Sequence, residues 1–165
     1  MTPILRATVI TVSDEVASHT DDDRGGMLAE SLLTEFGVDV ARVVVPDDPI
    51  LLVAAVTSAI AEGSRFVMTC GGTGIGPHDH TSDVIAGMLA FQIPGIAEEI
   101  RRRGLEHAAP ALVSREIAGV ISPESGPRVF VLCAPGSRGG VRDAIGVVGP
   151  MLGYIVEQLD GKGHA

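Results

Sequence analysis

A glycine-rich segment between Thr69 and Thr81 carries residues that could bind a phosphate group. It reads TCGGTGIGPHDHT, with four glycines and the acidic Asp79, and it follows a short apolar run at 65–68. Glycine lets the backbone approach a ligand closely and adopt a positive φ, so several amide N–H groups can converge on one anion. Asp79 could hold the cation that polyphosphates bring. The segment therefore predicts a phosphate-binding loop with a metal-binding carboxylate.

The spacing of this segment excludes two common nucleotide-binding loops. A P-loop requires GxxxxGK followed by Ser or Thr, whereas the single lysine of the chain is Lys162. The dinucleotide-binding fingerprint also fails, because Pro77 stands where its third glycine should open a helix. Since glycine-rich segments are often ordinary turns, the assignment depends on the rest of the chain.

Two adjacent aspartates follow the second predicted strand, and their roles can be separated. Asp48 precedes Pro49 and suits the N-cap of a helix, whereas Asp47 has no such structural role. Asp47 is the better candidate for chemistry, with a solvated loop carboxylate as the alternative. Asp47 and Asp79 suit a Mg²⁺ that keeps several waters and takes its other ligands from substrate phosphates. Such a cation would neutralise charge during phosphoryl or nucleotidyl transfer.

The histidines and cysteines of the chain have weaker interpretations. In extended backbone His78 and His80 point to one side and Asp79 to the other, so a transition-metal site would need a turn. Cys70 could act as a thiol nucleophile, but no orienting third group is evident, so a small buried thiol is favoured. Cys70 and Cys133 form no CxxC pattern, which indicates reduced thiols rather than a disulfide framework.

Hydrophobic periodicity predicts strands and helices in alternation along the chain. Runs of β-branched residues predict strands at 7–13, 38–45, 65–69 and 128–134, with one or two short strands between 111 and 121. Apolar residues at helical spacing predict helices at 24–36, 48–62, 82–89 and 94–107, and one that follows residue 137 and ends near 159. This order favours a three-layer α/β/α sandwich with a mostly parallel sheet.

Unusual residues follow four of these strands, where each strand ends. They are Ser13 and Asp14 after the first, Pro46, Asp47 and Asp48 after the second, the glycine-rich segment after the third, and Pro135, Gly136 and Ser137 after the last. Ligands of open α/β sheets bind beyond the carboxyl ends of the strands. The sequence therefore predicts that one edge of the sheet carries three acidic groups and two amide-rich turns.

Length and composition favour a single domain over residues 1–165. Hydrophobic residues make up 45% of the chain but aromatic residues only 3%, so Ala, Val, Ile and Leu must build the core. The net charge of −9 argues against nucleic acid or an anionic membrane as partner, because both require a basic face. The chain has no signal-peptide pattern and no run of transmembrane length, so we expect a cytoplasmic protein.

These residues together resemble the MogA/MoaB family of molybdenum cofactor biosynthesis, and the likeness covers nearly the whole chain. Members of that family adenylylate molybdopterin with ATP and Mg²⁺. The combination of matching elements is specific, although no single element is. The matching elements are Ser13, Asp14, Asp23, Gly26, Pro46, Asp47, the GGTG at 71–74, Asp79, Thr81, and the segments 93–95, 112–115 and 135–137.

The resemblance implies a role for individual residues. Asp47 and Asp79 correspond to the family's catalytic acids and would hold Mg²⁺, which agrees with the choice made from the residues alone. The nucleotide would be bound by Gly71, Gly72, Thr73 and Gly74, and the substrate by Ser13, Asp14, Ser114, Pro135, Gly136 and Ser137. The implied reaction transfers AMP from ATP to the terminal phosphate of molybdopterin. The resemblance further implies a homotrimer and handover to a molybdate-inserting enzyme.

One departure from the family pattern bears on activity. His78 stands where the family usually has arginine, and an imidazole is largely neutral near pH 7, whereas a guanidinium is always charged. The alternative function is therefore a carrier or scaffold that binds molybdopterin without turnover. A second alternative is a related enzyme that shares this module, such as a nucleotide pyrophosphatase or a molybdate-insertion protein. Most of these carry an additional domain, which 165 residues cannot accommodate.

Overall fold

A computed structural model describes residues 4–162, which form one six-stranded sheet with helices on both faces. The strands are β1 (Arg6–Val12), β2 (Asp39–Val45), β3 (Phe66–Cys70), β4 (Phe91–Gln92), β5 (Ile117–Ile121) and β6 (Val129–Ala134). Their order across the sheet is β2-β1-β3-β6-β5-β4. The first four strands in this order pair in parallel. Strand β5 pairs antiparallel with β6, and β4 pairs antiparallel with β5. The prediction of a mostly parallel sheet is confirmed.

The helices connect these strands and differ in length. They are α1 (Asp14–Ala17), α2 (Arg24–Glu35), α3 (Pro49–Ala61), α4 (Thr81–Met88), α5 (Pro94–Leu105), α6 (Arg138–Val148) and α7 (Leu152–Leu159). Short 3-10 turns lie at Ala109–Val113 and Gly149–Met151. Within residues 4–162, none of the helices combines the length and the apolar character that a membrane span requires.

The two faces of the sheet bury separate cores. Ala7 and Val9 of β1 belong to one core and Ile10 to the other, because successive side chains of a strand point to opposite faces. Helices α2, α5, α6 and α7 cover the first core, in which the rings of Phe66 and Phe130 stack with their centroids 5.3 Å apart. Helices α3 and α4 cover the second core. The three predicted layers are therefore present.

The helix starts near the sheet edge are fixed by side-chain caps. Asp48 accepts hydrogen bonds from the amides of Ile50 and Leu51 at 2.8 and 3.2 Å, and Pro49 opens α3, as the sequence predicts. Asp23 caps α2 by accepting from the amide of Gly26 at 3.1 Å. These caps hold the first turns of α2 and α3 in place directly beside the loops that follow β1 and β2.

The predicted last helix differs from the structure and two short elements were missed, whereas the prediction of one or two short strands within 111–121 is met by one strand. The last helix does not run unbroken to residue 159, because Pro150 lacks an N–H and the Gly149–Met151 turn separates α6 from α7. Residues 111–121 contain part of a 3-10 turn and the single strand β5. The elements α1 and β4 were missed; they have four and two residues, too few to show a periodic pattern.

Candidate functional site

The carboxyl ends of β2, β1, β3 and β6 lie side by side at one edge of the sheet. The loops that follow them carry the polar and glycine-rich residues that the sequence analysis placed there, and the predicted grouping at one edge is confirmed. In the order of the strands across the sheet, these are Pro46 and Asp47, then Ser13 and Asp14, then the glycine-rich loop, then Pro135, Gly136 and Ser137.

Two cavities open at this edge, and Ser137 lines both of them. The first cavity has a volume of about 350 Å³, lies between the starts of α2 and α6, and is bordered by Ser13, Arg24, Gly136 and Arg138. The second cavity has a volume of about 560 Å³ and a largely apolar lining. Besides Ser137, its lining includes four predicted site residues, which are Thr73, Gly74, Ser114 and Pro135. The predicted substrate residues other than Asp14 are therefore divided between two adjoining cavities, and Asp14 lines neither.

The carboxylates after β1, β2 and the glycine-rich loop form one electrostatic cluster. The pKa of Asp47 is raised, first by burial; the charge of His80 opposes this rise, and the charges of Asp14 and Asp79 add to it. Asp14 also accepts a hydrogen bond from the amide of Asp47 at 2.8 Å, which fixes the Asp47 backbone. The structure thus brings Asp47 and Asp79 within electrostatic range of each other, although they are 32 residues apart in sequence.

Asp79 packs directly on the glycine-rich loop. Its Oδ2 accepts a hydrogen bond from the amide of Gly76 at 2.9 Å, and a Cβ at Gly74 would lie 2.6 Å from the same oxygen. A side chain at Gly74 would therefore displace the carboxylate. The close contact with Asp79, and not a positive φ, therefore favours glycine at position 74.

Two other glycines of the loop have a positive φ, at +109° for Gly71 and +68° for Gly72. A Cβ at Gly71 would collide with the carbonyl oxygen of Val12 in β1, and one at Gly72 with the hydroxyl of Thr81. The loop consequently passes very close to the end of β1 and to the start of α4. This close approach brings the amides of the loop to the sheet edge.

Two carboxylates of this cluster could hold a metal ion together with ligands from outside the protein. Residues 4–162 contain no group of three or more His, Cys, Asp and Glu side chains arranged to hold a metal. Asp47 and Asp79 supply two carboxylates, which fits a cation that takes its remaining ligands from water and phosphate. Burial is the largest cause of the raised pKa of Asp47, and the charges of Asp14 and Asp79 add a smaller repulsion. A bound cation would relieve this repulsion.

The serines of the site have different local roles. Ser13 caps α1 and Ser137 caps α6, by accepting from the amides of Val16 and Gly140 at 3.2 and 3.1 Å. Ser114 differs from both, because its buried Oγ has no hydrogen-bond partner among the described residues. It lines the second cavity, so a ligand there could satisfy this hydroxyl.

The buried-thiol interpretation of the cysteines agrees with the structure. Cys70 and Cys133 are both free and buried, and burial raises the pKa of each thiol to about 12. Both thiols therefore stay protonated near pH 7, which argues against a nucleophilic role for Cys70.

The sequence analysis assigned no role to Arg115 or Asp83, although both belong to the site. Arg115 donates from its backbone amide to the carbonyl of Thr73 at 2.7 Å and from Nε to the carbonyl of Gly74 at 3.2 Å. Its Nη1 and Nη2 donate to the Asp83 carboxylate at 3.1 and 2.7 Å. The only signal in the sequence was that Arg115 belongs to the segment 112–115 that resembles the MogA/MoaB family.

Comparison with known proteins identifies the class of this α/β domain. Residues 8–154 match the family model described as "Probable molybdopterin binding domain". The chain is 32% identical over 150 residues to a molybdopterin adenylyltransferase of Pyrococcus furiosus, covering 90% of this chain and 88% of that protein. It also superposes on the crystal structure of the tungsten cofactor synthesizing protein MoaB from the same organism. The TM-score is 0.88, with 27% identity over 96% of this chain and 99% of that one.

The chain belongs to the MogA/MoaB family of molybdenum cofactor biosynthesis proteins. It is also 35% identical, over 97% of its length, to a molybdenum cofactor biosynthesis bifunctional protein of Chlorobaculum tepidum. The alignment covers 50% of that protein, so the chain spans about half the length of the first curated relatives it matches.

Proposed function

We propose that this chain is a molybdopterin adenylyltransferase, which transfers AMP from ATP to the terminal phosphate of molybdopterin and releases pyrophosphate. An oxygen of the molybdopterin phosphate attacks the α-phosphorus of ATP, and the bond between the α- and β-phosphates breaks. The main support is the arrangement at one edge of the sheet, where Asp47 and Asp79 interact electrostatically, Asp79 bonds to the glycine-rich loop, and two adjoining cavities open at neighbouring strand ends.

The glycine-rich loop would bind the phosphates of ATP. The backbone amides of Gly72, Thr73 and Gly74 donate no hydrogen bond to any other residue in the described part of the chain. Three consecutive free N–H donors suit an anion. They would stabilise negative charge on the α-phosphate while the bond between the α- and β-phosphates breaks. This role falls to 72–74, because the amide of Gly71 already donates to the carbonyl of Ala134 at 3.0 Å.

Asp47 and Asp79 would act together on the same phosphates. They would hold a Mg²⁺, which supplies charge neutralisation and alignment of the reacting phosphates when it is bound. Asp14 keeps the Asp47 backbone in place, and the amide of Gly76 does the same for the Asp79 carboxylate. Both acids are thus held by short contacts before any ligand binds, which reduces the reorganisation needed during transfer.

The second substrate would occupy the cavities that meet at Ser137. The turn formed by Pro135, Gly136 and Ser137 opens α6, so the amides of its first turn and Arg138 face the first cavity with positive potential. The second cavity has an apolar lining and the unpaired hydroxyl of Ser114, which suits a flat heterocycle with polar edges. We therefore assign the molybdopterin phosphate to the Ser137 turn.

One experiment tests this function. The protein is incubated with molybdopterin, Mg²⁺ and ATP labelled at the α-phosphate, and the pterin product is separated and counted. We expect labelled, adenylylated pterin from the wild type and little from Asp47→Asn or Asp79→Asn, with Glu98→Gln on α5 as a control that keeps full activity. A folded wild type that forms no labelled pterin would overturn the proposal.

The second candidate is a molybdopterin carrier without turnover, which His78 favours because an imidazole lacks the permanent charge and the forked hydrogen-bonding geometry of the family's arginine. Molybdopterin binding without AMP transfer would support it. The homotrimer and the handover to a molybdate-inserting enzyme remain predictions. Sedimentation velocity tests the first, and product transfer in the presence of an inserting enzyme tests the second.

A further inference from the structure

Within residues 72–74, the carbonyls of the glycine-rich loop accept hydrogen bonds, whereas the amides have no partner among the described residues. The carbonyl of Gly72 accepts from the amide of Thr81 at 3.2 Å, and that of Thr73 from the amide of Arg115 at 2.7 Å. The carbonyl of Gly74 accepts from the Arg115 Nε at 3.2 Å. Because the N–H of a peptide unit points opposite to its C=O, fixing three consecutive carbonyls also fixes the direction of the neighbouring amides. Arg115 makes two of these three bonds.

The guanidinium of Arg115 is itself held by Asp83. After Nε bonds to Gly74, the remaining two nitrogens, Nη1 and Nη2, form a two-point contact with the carboxylate at 3.1 and 2.7 Å. This geometry fixes the plane of the guanidinium and hence the direction of its Nε–H. Asp83 lies in the first turn of α4, and Arg115 lies two residues before the start of β5 at Ile117. The pair therefore ties the loop to two other elements.

We propose that Arg115, oriented by Asp83, is a positioning residue that shapes the glycine-rich loop for nucleotide binding and is not itself a phosphate ligand. Three of the five guanidinium N–H donors already bond to protein groups, and together they fix the guanidinium between the Gly74 carbonyl and Asp83. The competing role as a phosphate ligand must be tested directly, because Arg115 also borders a cavity of about 270 Å³ that Asp79 lines.

The role in nucleotide binding rests on the proposed function, and the measurement is the affinity for ATP with Mg²⁺ by calorimetry. Arg115→Ala should weaken ATP binding about 10-fold to 100-fold, the range for a hydrogen bond from a charged donor. Asp83→Asn should weaken it about 3-fold to 5-fold, because an exposed ion pair contributes little. Arg115→Lys should not restore the affinity for ATP, since an ammonium cannot donate to the Gly74 carbonyl and also form a planar two-point contact with the Asp83 carboxylate.

Arg102→Ala is the matched control. Arg102 also contacts carboxylates at short distances, 2.8 Å to Glu99 and 3.0 Å to Glu106, but it lies on α5 away from the loop. This variant should bind ATP as the wild type does. If Arg115 binds phosphate directly, Asp83→Asn should leave ATP affinity unchanged or increase it, because the guanidinium would be released toward the ligand. That result would overturn the proposal.

A second readout does not need nucleotide and separates this proposal from the function. Amide hydrogen exchange of Gly76 and Thr81, both hydrogen-bonded within the loop region, is followed by NMR in the free protein. Arg115→Ala and Asp83→Asn should accelerate exchange at these two amides and leave the amides of β1 unchanged. If the wild type fails to bind ATP, the proposed function fails, but this exchange pattern still decides whether Arg115 shapes the loop. Unchanged exchange at both amides would refute that role.

Discussion

Replacing Glu116 with glutamine should stabilise the protein at neutral pH and not at acid pH. The Glu116 side chain is buried, with the residue 2% exposed, and its Oε2 has no hydrogen-bond partner among the described residues. Burial raises the pKa of its carboxyl from 4.5 to about 7; the charge of Arg101 opposes this rise and that of Asp143 adds to it. Arg101 forms no salt bridge with the carboxylate among the described residues; its Nη1 donates instead to the backbone carbonyls of Ser114 and Glu116.

The magnitude follows from this difference in pKa. Below pH 4.5 the carboxyl is protonated in both the folded and the unfolded chain, so it contributes no pH dependence there. Between pH 4.5 and about 7 the unfolded chain releases its proton while the folded chain keeps it, and the free energy of unfolding falls. A change of one in pKa corresponds to about 1.4 kcal/mol, so the total loss approaches about 3 kcal/mol above pH 7.

The assay is urea unfolding of the wild type and Glu116→Gln at several pH values from 4 to 8. A neutral amide has no proton to release. We therefore expect the difference in free energy of unfolding between Glu116→Gln and the wild type to grow by about 3 kcal/mol from pH 4 to pH 8, whatever its value at pH 4. Glu124→Gln, at an exposed loop glutamate, is the control and should parallel the wild type. A constant or shrinking difference would refute the reasoning, because it would mean that the ionised carboxylate is stabilised inside the fold.

Two further predictions concern the glycine-rich loop and the second cavity. Gly72→Ala should lower the free energy of unfolding by about 1–3 kcal/mol, because of the positive φ and the collision with Thr81, whereas Gly153→Ala on α7 should be neutral or mildly stabilising. Urea titration checks both, and equal effects would contradict the assignment. Ser114→Ala should leave the melting temperature unchanged or raise it, because its buried hydroxyl has no partner among the described residues, yet weaken molybdopterin binding about 10-fold in equilibrium dialysis. Unchanged affinity would remove Ser114 from the substrate site.

Much of the fold was predictable because its elements carry strong local signals. The β-branched run of β1 and the Asp48–Pro49 start of α3 each specify a structure through neighbouring residues alone. The grouping of the polar loops followed from a general rule, because parallel strands place their carboxyl ends at one edge. The same rule predicts that Asp47 and Asp79 lie at the same edge of the sheet.

The remaining features depend on contacts between distant segments. Arg115 and Asp83 are 32 residues apart, and their pairing requires the antiparallel β5 to begin beside α4, which no local pattern specifies. Glu116 looks like a solvated charge in sequence, yet it is buried as β5 begins. Gly149 lies where the last helix breaks, and a Cβ there would strike the ring of Phe36. Tertiary packing decides each of these cases.

The central claim is that Asp47 and Asp79 act as one unit in AMP transfer, and a double-mutant comparison tests it most directly. The rate of AMP transfer to molybdopterin is measured for the wild type, Asp47→Asn, Asp79→Asn and the double variant under the same conditions. We predict that each single variant loses about 100-fold or more and that the double variant is no slower than the slower single one, because both acids serve one bound cation. Losses that multiply in the double variant, or a wild type without transfer, would contradict the claim.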